Sequence, residues 1–268
     1  MKTNSEQENL LFSEERREKI RKLVKSKGKI LVKDLSLEFN VSEVTIRQDL
    51  TKLEKMGILV RTYGGAIEKN NSTQDTPLSE RIEKRLPQKI AIAREAYKYI
   101  SDNDSIILDG GSTVLELGRL IRHSENLHIS AVVNFIPLIT LLQDKTDINL
   151  TLLGGTYFSR LFCSLGPIAN QNMNSMFVDK AFISTTAFSV EQGLSCTSIQ
   201  EADLRKTMIS RASMKILLAD SSKINKCSFI SSGSLDQINV LITDWEISKT
   251  DIKEISDLGI KVIAAGRN

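Results

Sequence analysis

Apolar positions early in the chain recur at helical spacing, and turn residues close each run. Ser13, followed by Glu14 and Glu15, predicts a helix start; Ile20, Leu23 and Val24 give that helix one apolar face, and Gly28 ends it. Val32, Leu35 and Phe39 mark a second, shorter helix, and Asn40-Val41 makes a tight connection to Ser42, the cap of a third. In the third helix Ile46, Leu50 and Leu53 form an i, i+4, i+7 stripe that must face the other two. Thr45, Gln48, Lys52 and Lys55 then project away from that core, with Arg47 on the flank. Gly57 closes the helix, and residues 58–61 followed by Tyr63-Gly64-Gly65-Ala66 read as a small β-hairpin, or wing.

The pattern changes after a polar stretch at 69–77, KNNSTQDTP, which holds no apolar residue and one proline. Beyond it short β-branched runs at 105–108, 129–133, 150–153, 181–184, 216–219 and 240–243 alternate with helical segments. Such alternation predicts an α/β body with a largely parallel sheet, preceded by a small winged helix-turn-helix domain. The boundaries that follow are 1–68 for the head, 69–87 for a linker and 88–268 for the body.

Composition narrows the class. With 41% hydrophobic and 26% charged residues and only 4 Pro and 14 Gly, the chain is neither disordered nor collagenous. Its longest apolar stretch, 131–142, is broken by Asn134, Pro137 and Thr140 and falls short of the roughly 18 residues a membrane helix needs. Charged residues interrupt the amino terminus before a signal-peptide apolar region forms, so export is not indicated and cytoplasm is the expected compartment. Cys163, Cys196 and Cys227 are odd in number and scattered, and only two histidines are present, so reduced thiols are expected, and neither disulfides nor a metal site.

The net charge of +3 is unevenly spread: residues 1–70 hold 15 Lys+Arg against 11 Asp+Glu, so the surplus lies in the head. A basic head on a neutral body fits double-stranded DNA as partner, and a solvated basic helix gives the same numbers. A recognition helix enters the major groove by its amino-terminal part, which puts Ser42, Thr45, Arg47 and Gln48 at base edges and phosphates. Arg pairs bidentately with guanine and Gln with adenine; Lys52, Arg61 and Tyr63 are placed for the phosphate backbone and the wing contact. Arg47 has a second reading, an ion pair with Glu43 or Asp49. Asp49 lies beside the apolar stripe and reads as a structural carboxylate that orients a basic neighbour, because facing DNA it would be repelled.

Arg16, Ile20, Val24, Ser42, Thr45, Ile46, Arg47, Asp49 and Leu50 occur at the spacing of the head of the deoxyribose-operon repressor (DeoR) family of bacterial transcription regulators, and Tyr63-Gly64-Gly65-Ala66 resembles its wing. The resemblance implies a regulator that binds operator DNA as a homo-oligomer. Gln48 departs from the Lys, Arg, Asn or Ala usual there, which bears on the operator sequence.

Four strand ends in the body carry residue types that cradle phosphate or sugar hydroxyls. The first is Asp109-Gly110-Gly111-Ser112-Thr113, where two glycines and two hydroxyls open a helix; a capped turn without ligand is its bland reading. The others are Asn134, the paired Gly154-Gly155, and Asp220-Ser221-Ser222-Lys223. In an open parallel sheet ligands bind at the carboxyl ends of strands, where all four lie. Their order resembles the DeoR family's sensor domain over 88–244, which is similar to ribose-5-phosphate isomerase and related enzymes. The resemblance implies an effector pocket for a phosphorylated sugar at Asp109, Gly110, Gly111, Ser112, Thr113, Asn134, Gly154, Gly155, Asp220 and Lys223, with no cofactor. Phe135 stands where the family has a hydroxyl residue, and Ser184-Thr185-Thr186-Ala187 replaces a glycine-rich stretch; both reshape the pocket. Glu201 and Arg205 match family positions, and their i, i+4 spacing reads as a surface pair.

The expected function is a repressor of a sugar-utilisation operon released by a phosphorylated sugar. The competing classes are a sugar-phosphate isomerase or deaminase carrying a DNA-binding head, and a DNA-bound scaffold whose body only dimerises. Asp109, Glu201 and Asp220 are the candidate bases for an enzyme, yet the sequence assembles none of them with an activated partner, so no catalytic residue is assigned.

Overall fold

The structure is a computed structural model and describes residues 4–62, 64–69 and 77–267, with backbone alone for 4–12 and 26. In chain order the first elements are α1 (Asn4–Lys27), β1 (Lys29–Leu31), α2 (Val32–Phe39), α3 (Glu43–Lys55), β2 (Leu59–Thr62) and β3 (Gly65–Lys69). Next come α4 (Leu78–Glu83), α5 (Leu86–Tyr97), β4 (Ser105–Leu108), α6 (Ser112–His123), β5 (Ile129–Val133), α7 (Ile136–Leu142) and β6 (Ile148–Leu152). They are followed by β7 (Thr156–Phe158), β8 (Cys163–Leu165), α8 (Pro167–Asn174), β9 (Val178–Ile183), β10 (Ala187–Ser189), β11 (Gly193–Cys196) and α9 (Ile199–Arg211). The last are β12 (Ala212–Leu218), β13 (Lys226–Cys227), β14 (Ile230–Gly233), β15 (Val240–Asp244), α10 (Lys249–Ser256) and β16 (Lys261–Ala265). The chain divides into two compact units, Met1–Asn71 with Asn225–Ser228, and Ser72–Ile224 with Phe229–Asn268.

The first unit is three helices and a wing. α1 begins at Asn4, well before the predicted cap Ser13, because the run Glu6-Gln7-Glu8-Asn9-Leu10-Leu11 contains no proline or glycine to stop a helix. Its end is where the sequence puts it: Gly28 takes a φ of 76° and donates its N–H to the Val24 carbonyl at 2.9 Å. Asn40, at φ 51°, turns the chain between α2 and α3, and the Ser42 hydroxyl caps α3 by accepting from the Thr45 N–H at 3.2 Å. Ile20, Val24, Leu35, Ile46, Leu50, Leu53 and Leu59 form one core, each such side chain contributing about 1.5–3 kcal/mol by its burial. The wing strands β2 and β3 are antiparallel; β3 also pairs antiparallel with β1 and parallel with β13. A Cβ on Gly65 would stand 1.9 Å from the Ile30 carbonyl oxygen, so the β1–β3 pairing requires glycine there.

The second unit is the α/β body. Its sheet has seven parallel strands in the order β16-β15-β12-β9-β4-β5-β6, and the β-branched runs of the sequence supply β4, β5, β6, β9, β12 and β15. Ile106, Ile107, Leu108, Ala181, Phe182 and Ile183 are fully buried, as expected of strands covered by helices on both faces. From β4 the chain winds outward through β5 and β6 on one side, and through β9, β12, β15 and β16 on the other. The switch point therefore lies between β4 and β9, and the crevice beyond their carboxyl ends is where such a sheet holds a ligand. Two small antiparallel sheets, β7-β8 and β10-β11-β14, flank it. The stretch 69–87, read from the sequence as linker, contains α4 and the start of α5, and Leu78 on α4 joins the body core.

Candidate functional site

On the head, α3 presents a polar face. Ser42, Arg47, Gln48 and Lys52 are exposed and Thr45 is half-buried, while Ile46, Asp49, Leu50 and Leu53 point inward. Asp49 does what the sequence suggests: it accepts from Arg16 Nε at 2.6 Å and Arg17 Nη1 at 3.2 Å, tying α1 to α3. Arg47 lies 3.2 Å from Glu43, but both side chains are about half exposed (47% and 50%), a weak pair that a stronger acceptor displaces. Arg61 donates to Thr51 Oγ1 at 2.9 Å, which sets the wing strand β2 against α3. Tyr63 lies outside the described residues. Val44, 64% exposed in the first turn of α3, is an apolar residue the sequence reading passed over, and its exposure is the signal. A thymine methyl is the group such a side chain meets in a major groove.

Arg47→Ala is expected to weaken binding to the specific operator by about 1–3 kcal/mol, while Lys52→Ala weakens all sequences alike. Gel-shift titrations on specific and scrambled duplexes measure both. An equal loss on the two duplexes for Arg47→Ala would remove it from base readout.

In the body, the loops after β4, β9 and β12 meet at the switch point, and those after β5 and β6 pack against β8 beside it. Asp109 follows β4, and its Oδ1 accepts from the Gly110 N–H at 2.7 Å; its Oδ2 accepts from the Ser184 N–H at 3.0 Å and from Arg205 Nε at 3.0 Å. The Ser184 hydroxyl donates to the Gly110 carbonyl at 2.7 Å, which locks the β4 loop to the β9 loop. Gly110 and Gly111 are demanded by this closeness: Cβ atoms there would stand 2.5 Å from Cys163 Sγ and 2.7 Å from Ser184 Oγ. α6 opens at Ser112, and its first-turn N–H groups have no intrahelical acceptor, so they favour an anion. Asn134 is buried beside β8, its carbonyl accepting from the Ser164 N–H at 2.8 Å. Gly155 packs against the same Ser164, and Gly154 donates to Asn172 Oδ1 at 3.2 Å. The fourth loop joins through Lys223, whose Nζ donates to the Thr185 carbonyl at 2.6 Å.

Arg205 corrects the sequence reading. Glu201 and Arg205 are not a surface pair: the Arg205 side chain is 1% exposed, with Nη2 donating to Glu201 Oε1 at 2.6 Å and Nε to Asp109. The pair is buried because α9 turns this face to the strand ends, where Asp109 provides the second carboxylate. Burial disfavours the Arg205 charge, but Asp109 and Glu201 outweigh it and hold its pKa well above the ordinary value. Asp220 is likewise engaged: it accepts from the Ser222 N–H at 3.1 Å and forms an ion pair with Arg85, whose Nε lies 3.1 Å away. Burial opposes its charge, and Lys223, Ser222 and Arg85 together keep its pKa below the usual carboxylate range. Lys223 is pushed the other way, downward, chiefly by burial. Phe135, fully buried, places Cδ2 3.6 Å from where a Gly110 Cβ would stand, so it walls the first loop.

Several buried atoms here have no partner among the described residues: Thr113 Oγ1, Asn134 Oδ1, Glu201 Oε2, Arg205 Nη1, and Arg81 Nε and Nη2. Buried donors and acceptors left unmade call for a polar partner, whether water or ligand. Arg81 was missed because its segment, α4, reads as polar linker, and Lys89, at the start of the body, because nothing in its spacing points to the strand ends. Lys89 is buried, donates to the carbonyls of Arg81 and Lys84, and is pushed down to about 8, chiefly by burial. Burial also raises the thiols of Cys163 and Cys196, the latter to about 11, which leaves both protonated. His128 sits at the amino end of β5 with Asp102 at 3.2 Å, at the opposite end of the strands from these loops. Among the described residues no His/Cys/Asp/Glu group has the arrangement to hold a metal, and no helix is long and apolar enough to cross a membrane.

A winged helix-turn-helix joined to a parallel α/β body with a polar, cation-lined switch point defines a ligand-responsive DNA-binding regulator. Residues 16–72 match the DeoR-like helix-turn-helix domain and residues 84–245 the DeoR C-terminal sensor domain, so the chain belongs to the DeoR family of transcriptional regulators. It is 34% identical over 250 residues to the HTH-type transcriptional regulator YulB of Bacillus subtilis, covering 93% of this chain and 96% of that one. The lactose phosphotransferase system repressor of Streptococcus mutans is 35% identical, with 87% and 92% of the two chains covered. The putative aga operon transcriptional repressor of Escherichia coli O157:H7 is 32% identical, with 94% of each covered.

Proposed function

We propose that this regulator represses a sugar-utilisation operon and releases its operator when a phosphorylated sugar binds the strand-end site. The observation that carries the reading is the set of unpartnered buried atoms at the switch point. Cationic donors on Arg81 and Arg205 suit a phosphate, and Asn134 Oδ1, Glu201 Oε2 and Thr113 Oγ1 suit hydroxyls. Ser112, Thr113 and the glycine pair hold the anion at the start of α6, and Lys223 adds a point charge. Gly154 and Gly155 shape the rim beside Asn134. In this reading Asp109 and Asp220 act by holding Arg205, Arg85 and the loops in place, because both oxygens of Asp109 and Oδ1 of Asp220 are already engaged. The names of the lactose and aga repressors support a carbohydrate operon as target.

Ser42, Thr45, Arg47, Gln48, Lys52, Arg61 and Tyr63 form the DNA contact of the proposal, in a homo-oligomer whose heads read paired half-sites in the cytoplasm. The enzyme reading is weaker: both histidines lie away from the loops, and the Asp109 carboxylate is held by Arg205. Two measurements on the full-length protein test the proposal. Log affinity for the chain's own promoter should fall linearly with log salt, as counterion release requires. A hexose or pentose phosphate should raise the melting temperature, as binding to the folded state must. Salt-independent binding, or no stabilising phosphate, would defeat the corresponding half.

A further inference from the structure

The DNA-binding head is not built from the first part of the chain alone. The chain leaves the body unit at Asn225, contributes β13 to the head unit, and returns after Ser228. Of the two edges of β3, β2 takes one along 65–68, and the other is shared by β1 at 65–67 and β13 at 68–69. An ion pair closes the β13 ladder, with Lys226 Nζ 3.5 Å from Glu68 Oε2. Both ends of this excursion are tied to the body: Ile224 is buried in the body core and bridges Phe188, and Ile230 opens β14, which pairs with β11. Only Ile224 and Asn225 separate Lys223 from β13. The turn before them is closed by the Lys223 N–H to the Asp220 carbonyl at 3.0 Å and the Ile224 N–H to the Ser221 carbonyl at 3.2 Å. A chain reaches at most about 3.6 Å per residue, so so short a segment passes a movement of that turn on to β13. Nor can β13 slide along β3 toward the wing turn, because β1 occupies the next position on the same edge, at Ile67. A ladder of two residues that is displaced therefore opens.

Resting on the effector reading above, we infer that β13 is the connection through which the body acts on the head, and that effector bound beside the turn at 220–223 opens the β13–β3 ladder. Recruiting the Lys223 ammonium to a phosphate takes it from the Thr185 carbonyl, 2.6 Å away, and shifts the turn. β3 then loses its neighbour at Glu68 and Lys69. Its other partner, β2, carries Arg61 of the DNA contact, so the wing loosens with it. The operator-binding state has the ladder closed and the effector-bound state has it open. The change is local: two residues of pairing in the head answer a shift of one turn in the body. The stretch 70–77, the other covalent connection between the units, is a tether in this scheme.

The test uses the full-length protein, its promoter duplex, and glucose 6-phosphate, fructose 6-phosphate, galactose 6-phosphate, ribose 5-phosphate and glycerol 3-phosphate as probes. The probe that most raises the wild-type melting temperature is carried forward. In the wild type, amide exchange at residues 226–228 and 68–69 should quicken on adding that probe, and unchanged exchange would overturn the inference. Inserting Gly-Ser-Gly between Ile224 and Asn225 puts slack into the connection and leaves β13 itself intact. That variant should keep its operator affinity and its thermal response to the probe, yet lose the roughly 5- to 150-fold release. The same insertion after Thr73 should leave release as it is in the wild type. Breaking the ladder has the opposite signature. Lys226→Glu should weaken operator binding without probe, by roughly two- to fivefold for a partly exposed pair. Glu68→Lys should weaken it too, although it adds positive charge, and the two changes together should restore it. If the insertion before Asn225 is released as the wild type is, or Glu68→Lys tightens operator binding, β13 is not the connection and the effector reading stands. If no probe stabilises the wild type, both fall.

Discussion

Arg205→Met is expected to lower the stability of the protein by about 3–5 kcal/mol, the cost of stripping a buried ion cluster of its cation. The side chain is 1% exposed and lies between Asp109 at 3.0 Å and Glu201 at 2.6 Å. Methionine fills most of the volume, so the loss comes chiefly from two carboxylates left facing each other in a site closed to water. The origin of the loss is open to a direct check. Adding Asp109→Asn and Glu201→Gln to Arg205→Met should recover part of it, because neutral amides need no counter-charge. A packing defect would not be rescued by those changes. Urea unfolding followed through Trp245, the sole tryptophan and part of the body, reports the difference. A loss below about 1 kcal/mol, the range of an exposed pair, would show that the cluster is wetter than its geometry implies.

The head was legible in the sequence because every one of its signals is local. The stripe Ile46, Leu50, Leu53, the cap Ser42 and the turn at Asn40 each act within a few residues, and each appears in the structure where the spacing places it. The start of α1 was not, since a good cap at Ser13 cannot stop a helix whose preceding residues are also helix formers. In the body, the β-branched runs and the strand-end loops could be read, because apolar strands ending in glycine and hydroxyl residues are again local patterns. What the sequence hid is the partner of each polar group. Glu201 and Arg205 carry the spacing of a surface pair, and only the winding of α9 over the ends of β4 and β9 brings Asp109 to them and buries all three. Arg81, Arg85 and Lys89 were hidden more completely. Arg81 and Arg85 lie in a polar stretch whose few apolar residues, Leu78 among them, are too sparse to announce a packed helix; Lys89, just beyond it, binds carbonyls of that helix, and Arg85 reaches partners distant in sequence, Asp220, Ser221, Asp244 and Glu246.

The second large effect is on operator release. If the phosphorylated sugar and the operator favour different states of one molecule, each must weaken the other by the same factor, roughly 5- to 150-fold. Thr113→Ala together with Lys223→Ala should leave operator affinity intact and remove that coupling. The Thr113 hydroxyl has no hydrogen-bond partner among the described residues, and Lys223 gives up a bond to the backbone carbonyl of Thr185, within the body. The double variant's own melting temperature separates lost binding from lost folding.

The most direct test of the account is therefore a reciprocal titration at fixed salt. Operator affinity is measured with and without each sugar phosphate, and the affinity for that sugar phosphate is measured by calorimetry on free and operator-bound protein, with turnover of the sugar followed in the same samples. The account predicts one sugar phosphate with equal factors in the two directions for the wild type, no coupling in the double variant and no turnover. Unequal or absent coupling in the wild type, undiminished release of the double variant, or conversion of the sugar would contradict it.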